Sequence, residues 1–213
     1  MLFFRATVAW PLQTAIEQPR LVSGAPPIIV GISGASGAIY GVRLLEVLKA
    51  HRIAAHLIVS KSALQTLKEE ADLTMEQIRT LAETTYQNTD MGAAISSGSF
   101  KTRGMAIVPC SIRTLSDIAY CTTDSLLSRA ADVTLKERRR LVLVVREAPL
   151  HAGHLRSMLA ATENGAIIVP PVPAFYPRPK SVDDIIDHTV GRCLDLFDID
   201  VGSVKRWRGE PDL

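Results

Sequence analysis

Five short apolar runs punctuate the chain: IIVGI at 28–32, AHLIVS at 55–60, MAIVP at 105–109, LVLVVR at 141–146 and AIIVP at 166–170. None alternates between apolar and polar, so each predicts a strand buried on both faces, not one with a wetted side. Amphipathic segments lie between them. IYGVRLLEVLKA places Leu44, Leu45 and Leu48 on one helical face, and KSALQTLKEEA follows the second run. TMEQIRTLAETT predicts a further short helix with Thr74 as its N-cap. TLSDIAY and SLLSRAADVTLKE (125–137) follow the third run, and HAGHLRSMLAATENG follows the fourth, closed by Gly165 in the left-handed conformation that ends many helices. Ser181 caps VDDIIDHTVGRCLDLF, whose Val182, Ile185, Ile186, Cys193 and Leu194 form an apolar stripe. NTDMGAAISSGSFKTRG has no period and reads as a loop.

Strand and helix therefore take turns about five times, which predicts an α/β class with a Rossmann/flavodoxin-like parallel sheet and helices on both faces. In such sheets ligands bind beyond the carboxyl ends of the strands. The informative residues are those directly after each run: SGASG, Ser60-Lys61-Ser62, Cys110-Ser111, Arg146-Glu147 and PPVPAFYPRP. All five are polar, small or constrained. GISGASGAIYG is a Gly-rich turn into a helix, which could aim free N–H groups at a phosphate or a flavin edge, or could simply be a tight turn. Its glycines at 31, 34 and 37 do not make GxGxxG, and Ser60 stands where dinucleotide folds carry an acid, so nicotinamide cofactors lose ground.

Composition narrows the classes further. At 213 residues with 47% hydrophobic content, the chain is sized for one full core. Residues 1–27, irregular in period and closed by Pro26-Pro27, are set apart as an appended, disordered or weakly targeting-like extension, and 28–213 as the folded domain. A net charge of +2 with dispersed basic residues gives no nucleic-acid footprint, and no apolar run is long enough to span a membrane. Three cysteines without CxxC spacing suit a reducing cytoplasm better than a disulfide framework. His151 and His154 have no neighbouring ligand cluster, so no metal site is expected.

Arg129 and Lys136 stand two helical turns apart and share a face; alone they read as a solvated pair. Arg146 and Glu147, at the end of an apolar strand, read as a helix-start pair or as part of a site.

GISGASGAIYG, IVSKSA, SSGSF, GMAIVPCSIRTL, RAADVTLKERR, LVLVVREAPL, HLRSMLA, PPVPAFYPRP and VGRCLDLF, in this order from about Ile28 to Arg208, resemble the flavin prenyltransferase (UbiX) family, whose members are often described as aromatic acid decarboxylase subunits. The resemblance implies a metal-independent prenyltransferase that moves dimethylallyl from dimethylallyl phosphate onto N5 and then C6 of reduced FMN and releases phosphate. The prenylated FMN would pass to a UbiD-type decarboxylase, in ubiquinone biosynthesis or phenolic acid breakdown. It also implies a homo-oligomer, with a dodecamer as one form and the site at subunit contacts.

Residue by residue, the resemblance implies FMN contacts at Gly34, Ala35, Ser36, Ser60, Ser111, Thr114 and Arg146. It implies that Arg129, Lys136, Tyr176 and Arg192 hold the donor's phosphate. The catalytic assignments fall on Glu147, Lys136 and Tyr176, with Glu147 as the acid/base that handles the C6 proton. On this reading the hydroxyls of PCSIRTLSDIAY are cofactor ligands, and Cys110, without a histidine nearby, is a small buried thiol. Some relatives carry a tryptophan before SSGSF, where this chain has Asp90 and Met91. Two rival readings are a cysteine-decarboxylase-like flavoprotein, for which His51 and His56 are the only histidines near the first helix, and a non-catalytic flavin-binding subunit.

Overall fold

A computed structural model describes residues 25–206 and Gly209, so the extension expected over residues 1–27 lies almost wholly outside the described residues. Six parallel strands, β1 (Ile28–Ile32), β2 (Ala55–Val59), β3 (Thr84–Tyr86), β4 (Gly104–Cys110), β5 (Arg140–Val145) and β6 (Ala166–Ile168), form one sheet in the order β3-β2-β1-β4-β5-β6. Among the described residues the helices are α1 (Ala38–Ala50), α2 (Lys61–Ala71), α3 (Met75–Arg79), α4 (Ile112–Ala119), α5 (Leu126–Lys136), α6 (Ala152–Glu163) and α7 (Val182–Asp195). Among the described residues no helix is long and apolar enough to cross a membrane.

The unbroken apolar runs have a direct cause in this layout. Successive side chains of a strand point to opposite faces, and here both faces are covered. Val30, Ile32, Leu57, Val59, Val108 and Val142 enter one core with Leu44, Leu45 and Leu48 of α1 and Ile186, Val190 and Leu194 of α7. Ile29, Ile58, Met105, Ile107, Leu141 and Leu143 enter the other with Leu115 of α4, Leu127 of α5 and Ala161 of α6. Close approach matters at one position above all: a Cβ on Gly41 of α1 would collide with the Val108 carbonyl oxygen.

Three expectations need correction. The predicted helix over TMEQIRTLAETT stops at Arg79, and Thr84–Tyr86 instead adds an edge strand to β2. The β-branched and aromatic TTY favours an extended backbone, and the Tyr86 hydroxyl lies 3.0 Å from His56 Nδ1 on the neighbouring strand. Val182, placed in the apolar stripe of the last helix, is 71% exposed because it occupies the first turn, beyond the edge of the core. The loop before β4 also contains a short 3₁₀ turn at Ala94–Ser96. Thr74 and Ser181 cap α3 and α7 as predicted, each within a capping box, and Gly165 has φ 101° after α6.

The strand order reverses between β1 and β4, which opens a crevice beyond their carboxyl ends. One buried hydroxyl ties the two edges together there. Ser33 Oγ donates to the Pro109 carbonyl at 3.0 Å and accepts the Ser111 N–H at 2.7 Å.

Candidate active site

A cavity of about 860 Å³ occupies this crevice. Gly34, after β1, Ser60 and Ser62, after β2, Ser111 and Thr114, after β4, and Glu147, after β5, all line it. Local structure explains why those hydroxyls are there. Ser60 Oγ accepts the Ala63 N–H at 3.2 Å and so N-caps α2, while Ser111 Oγ accepts the Thr114 N–H at 3.3 Å and N-caps α4. Ser111 also donates to Thr114 Oγ1 at 3.1 Å. Each cap oxygen is fixed by its helix at the cavity wall, with further lone-pair capacity toward a ligand.

The Gly-rich turn is used differently from the expectation of amides open to an anion. The N–H groups of Gly37 and Ala38, at the start of α1, donate to Glu70 Oε2 at 2.8 and 3.2 Å. The protein thus supplies its own anion at that helix end. Burial pulls the Glu70 carboxyl upward, but hydrogen bonds from Ser36, Gly37 and Ala38, together with the charge of Arg146, outweigh it and hold the group below the ordinary range. Ser36, Arg146 and Glu70 therefore belong to one polar cluster around the turn. The Ala35 N–H donates to the Ser33 carbonyl at 2.9 Å, which shapes the turn from within. Arg146 is anchored through its backbone N–H to the Cys110 carbonyl at 3.1 Å.

Cys110 itself is fully buried, and burial pushes its thiol well above the ordinary range. A thiol that resists ionisation is a poor nucleophile, in keeping with the packing role expected for it. His51 sits at the exposed C-terminal end of α1 against the Val47 carbonyl, and His56 is buried beside Tyr86 and Phe100. Neither lines the cavity.

The four residues expected on the donor phosphate fall into two patches, and none is among the residues lining the cavity. Arg129 pairs with Asp132 at 2.9 Å and donates to the Ser96 carbonyl at 3.3 Å. Lys136, at the other end of α5, pairs with Glu137 at 2.6 Å near Gly98. Both therefore border the SSGSF segment. Tyr176 lies 3.3 Å from His188 Nε2, and Arg192, one turn further along α7, pairs with Asp195 at 2.6 Å. Each of the three cations is held in place by a carboxylate of its own helix or its cap.

Sequence reasoning missed several residues at the cavity. Asn88 lines it and fastens the start of α5, its backbone carbonyl accepting from Leu126 N–H at 2.8 Å and its Oδ1 from Leu127 N–H at 2.9 Å. Gln65, Asp117 and Asp124 also line it, and burial raises the Asp117 carboxyl. Asn88 follows β3, the edge strand that the sequence did not disclose, and Asp124 lies beside no strand end, so the rule that picked out the other residues reached neither.

Residues 17–194 match the family described as Flavoprotein. Flavin prenyltransferase UbiX of Escherichia coli K12 is 58% identical over 185 residues, covering 85% of this chain and 98% of that protein. Among solved structures, that of AnUbiX (PadA1) in complex with FMN and dimethylallyl pyrophosphate superposes with a TM-score of 0.86 at 49% identity, over 88% of this chain and all of the other. A dodecameric FMN-dependent UbiX-like decarboxylase from Escherichia coli O157:H7 gives a TM-score of 0.84 at 46% identity, over 86% and 100% of the two chains.

Proposed function

The chain belongs to the flavoprotein family and, within it, to the flavin prenyltransferases, and from that premise we propose a cavity at the β1/β4 reversal where dimethylallyl phosphate prenylates reduced FMN. The observation that carries this reading is the convergence of Gly34, Ser60, Ser111, Thr114 and Glu147, from four separate strand ends, on one cavity. About 860 Å³ lies within the range of cofactor-sized sites, and a wall of hydroxyl, amide and charged side chains suits a polar heteroaromatic ring with a phosphorylated tail. Reduced FMN, when bound, supplies the nucleophilic ring atoms that accept the dimethylallyl group.

The protein's own residues do the rest. Gly34 has no side chain, and that lets Ser62 pack against its backbone at the cavity wall. The hydroxyls of Ser60, Ser111 and Thr114 orient the cofactor, and Arg146 and Ser36 fix its edge beside the Glu70-capped turn. Departure of phosphate from an allylic carbon builds negative charge on oxygen. Arg129, Lys136, Tyr176 and Arg192 stabilise that charge with fixed cations and a hydroxyl in place of a metal ion. Glu147 handles the proton that must leave the ring carbon.

The two phosphate patches lie off this chain's cavity wall, which is the arrangement of a site completed by neighbouring copies. Exposed apolar groups, Val172 and Phe175 in the proline-rich segment and Leu155 and Leu159 on α6, suit burial between subunits. We therefore propose a homo-oligomer, dodecameric like the relative of that form, and a UbiD-type decarboxylase as recipient of the product.

The rival cysteine-decarboxylase reading wants a histidine at the cavity near the first helix, and neither His51 nor His56 lines it. Anaerobic incubation with reduced FMN and dimethylallyl phosphate tests the reading. Prenylated FMN is expected; recovery of bound but unchanged FMN would assign the chain to flavin binding alone.

A further inference from the structure

His188 precedes Arg192 by one turn of α7, so the two side chains are neighbours on the helix surface. Its ring meets that of Tyr176 edge to face, with centroids 5.5 Å apart and planes at 83°. Nε2 of the imidazole lies 3.3 Å from the phenol oxygen. The other ring nitrogen, Nδ1, is buried without a hydrogen-bond partner among the described residues.

That asymmetry selects a tautomer. A neutral imidazole has one N–H and one bare nitrogen, and burying an N–H without an acceptor costs more than burying a lone pair without a donor. The hydrogen therefore belongs on Nε2, where the phenol oxygen can accept it. Burial and the adjacent Arg192 charge outweigh the Asp195 carboxylate and lower the imidazole pKa, which favours the neutral ring.

With its oxygen accepting from His188, Tyr176 has its own hydrogen turned away from the imidazole. The prolines at 170, 171, 173, 177 and 179 fix the backbone on either side, yet they leave the tyrosine side-chain torsions undetermined. We propose that His188 is a positioning residue for Tyr176, donating from Nε2 to the phenol oxygen so that the tyrosine O–H is presented to the phosphate of the prenyl donor. The role rests on the reading given above, in which Tyr176 binds that phosphate.

Steady-state prenylation of FMN by the intact protein, with dimethylallyl phosphate varied, tests it in wild type, H188F, H188Q, Y176F and the Y176F/H188F double variant. H188F keeps an aromatic ring and removes the donor; H188Q restores an N–H at similar reach. The expected result is a KM for dimethylallyl phosphate raised about three- to tenfold in H188F, the worth of one hydrogen bond, with any fall in kcat confined to the same range and FMN affinity nearly unchanged. H188Q should return KM most of the way to wild type, and H188F should add nothing in the Y176F background. An unchanged KM in H188F, a failure of H188Q to rescue, or effects that multiply with Y176F would each overturn the role. If H188F folds poorly, H188L removes the same donor with less bulk and is read in the same way. A wild-type protein that binds FMN but forms no prenylated product would overturn the underlying reading, and this role with it. Prenylation by wild type with an indifferent H188F would overturn the role alone.

Discussion

Glu147 and Glu70 stand near the same turn and do different work. Glu147 lines the cavity and accepts the Ala148 N–H at 3.0 Å through one oxygen, so a second carboxylate oxygen remains to handle a proton. E147Q should bind FMN normally and lower kcat by about 100-fold, the scale of a lost general acid/base; a kcat within about twofold of wild type, measured by product formation, would contradict the assignment. Glu70 holds the N-terminus of α1, and E70Q should cost about 0.5–1 kcal/mol at low salt. Its folded-state pKa is depressed, so the stabilisation is present above the unfolded carboxyl pKa and is lost as pH falls through the folded one. Denaturant unfolding of wild type and E70Q should therefore differ most near neutral pH and converge once the pH falls below the folded-state carboxyl pKa. A gap that widens in acid would refute the capping role. The thiols give a simpler check. Cys110 and Cys193 are buried, and burial pushes the Cys193 thiol up to about 12, so iodoacetamide should leave both untouched until the protein unfolds. These residues also mark what the sequence could disclose. Ser60 and Ser111 follow their strands directly and were visible on that ground, although a helix cap and a cofactor ligand demand the same hydroxyl at the same place. Glu70 was invisible because its partner amides lie 32 and 33 residues away.

Elements long enough to bury a face were legible, and those shaped by their neighbours were not. β1 was placed to the residue and β2 to within one, because an apolar run bounded by Gly, Ser or Pro has few other uses in an α/β chain. β3 is three residues long, too short for any period to show, and it exists because β2 offers an open edge. The contact between α1 and β4 was equally hidden, since it depends on Gly41 lacking a side chain under the Val108 carbonyl. G41A replaces a helical glycine with a better helix former, which alone would stabilise by about 1 kcal/mol. The clash should win, with a net loss of about 1–3 kcal/mol in denaturant unfolding. A stabilised G41A would show that α1 can move away from the strand without cost.

At the scale of the molecule, Gly34, Ser60, Ser111 and Thr114, proposed for the flavin, line one cavity of a single chain, whereas the four residues proposed for the phosphate fall into two patches away from it. The order of motifs pointed to both, but a linear reading cannot tell whether Arg129 and Lys136 meet Tyr176 and Arg192 within a chain or across copies. If they meet across copies, co-expressed K136A and R192A chains should assemble some intact sites. Random pairing of two chains per site gives about a quarter of wild-type activity, whereas a mixture no better than either parent would place the whole site in one subunit. The central claim is that the protein's own cations, without a divalent ion, release phosphate from the prenyl donor while reduced FMN accepts the dimethylallyl group. Mass spectrometry of the flavin after anaerobic reaction in excess chelator tests this most directly. The account predicts FMN carrying one added dimethylallyl group at an undiminished rate; unmodified FMN under chelator, with prenylation restored only by magnesium, would contradict it.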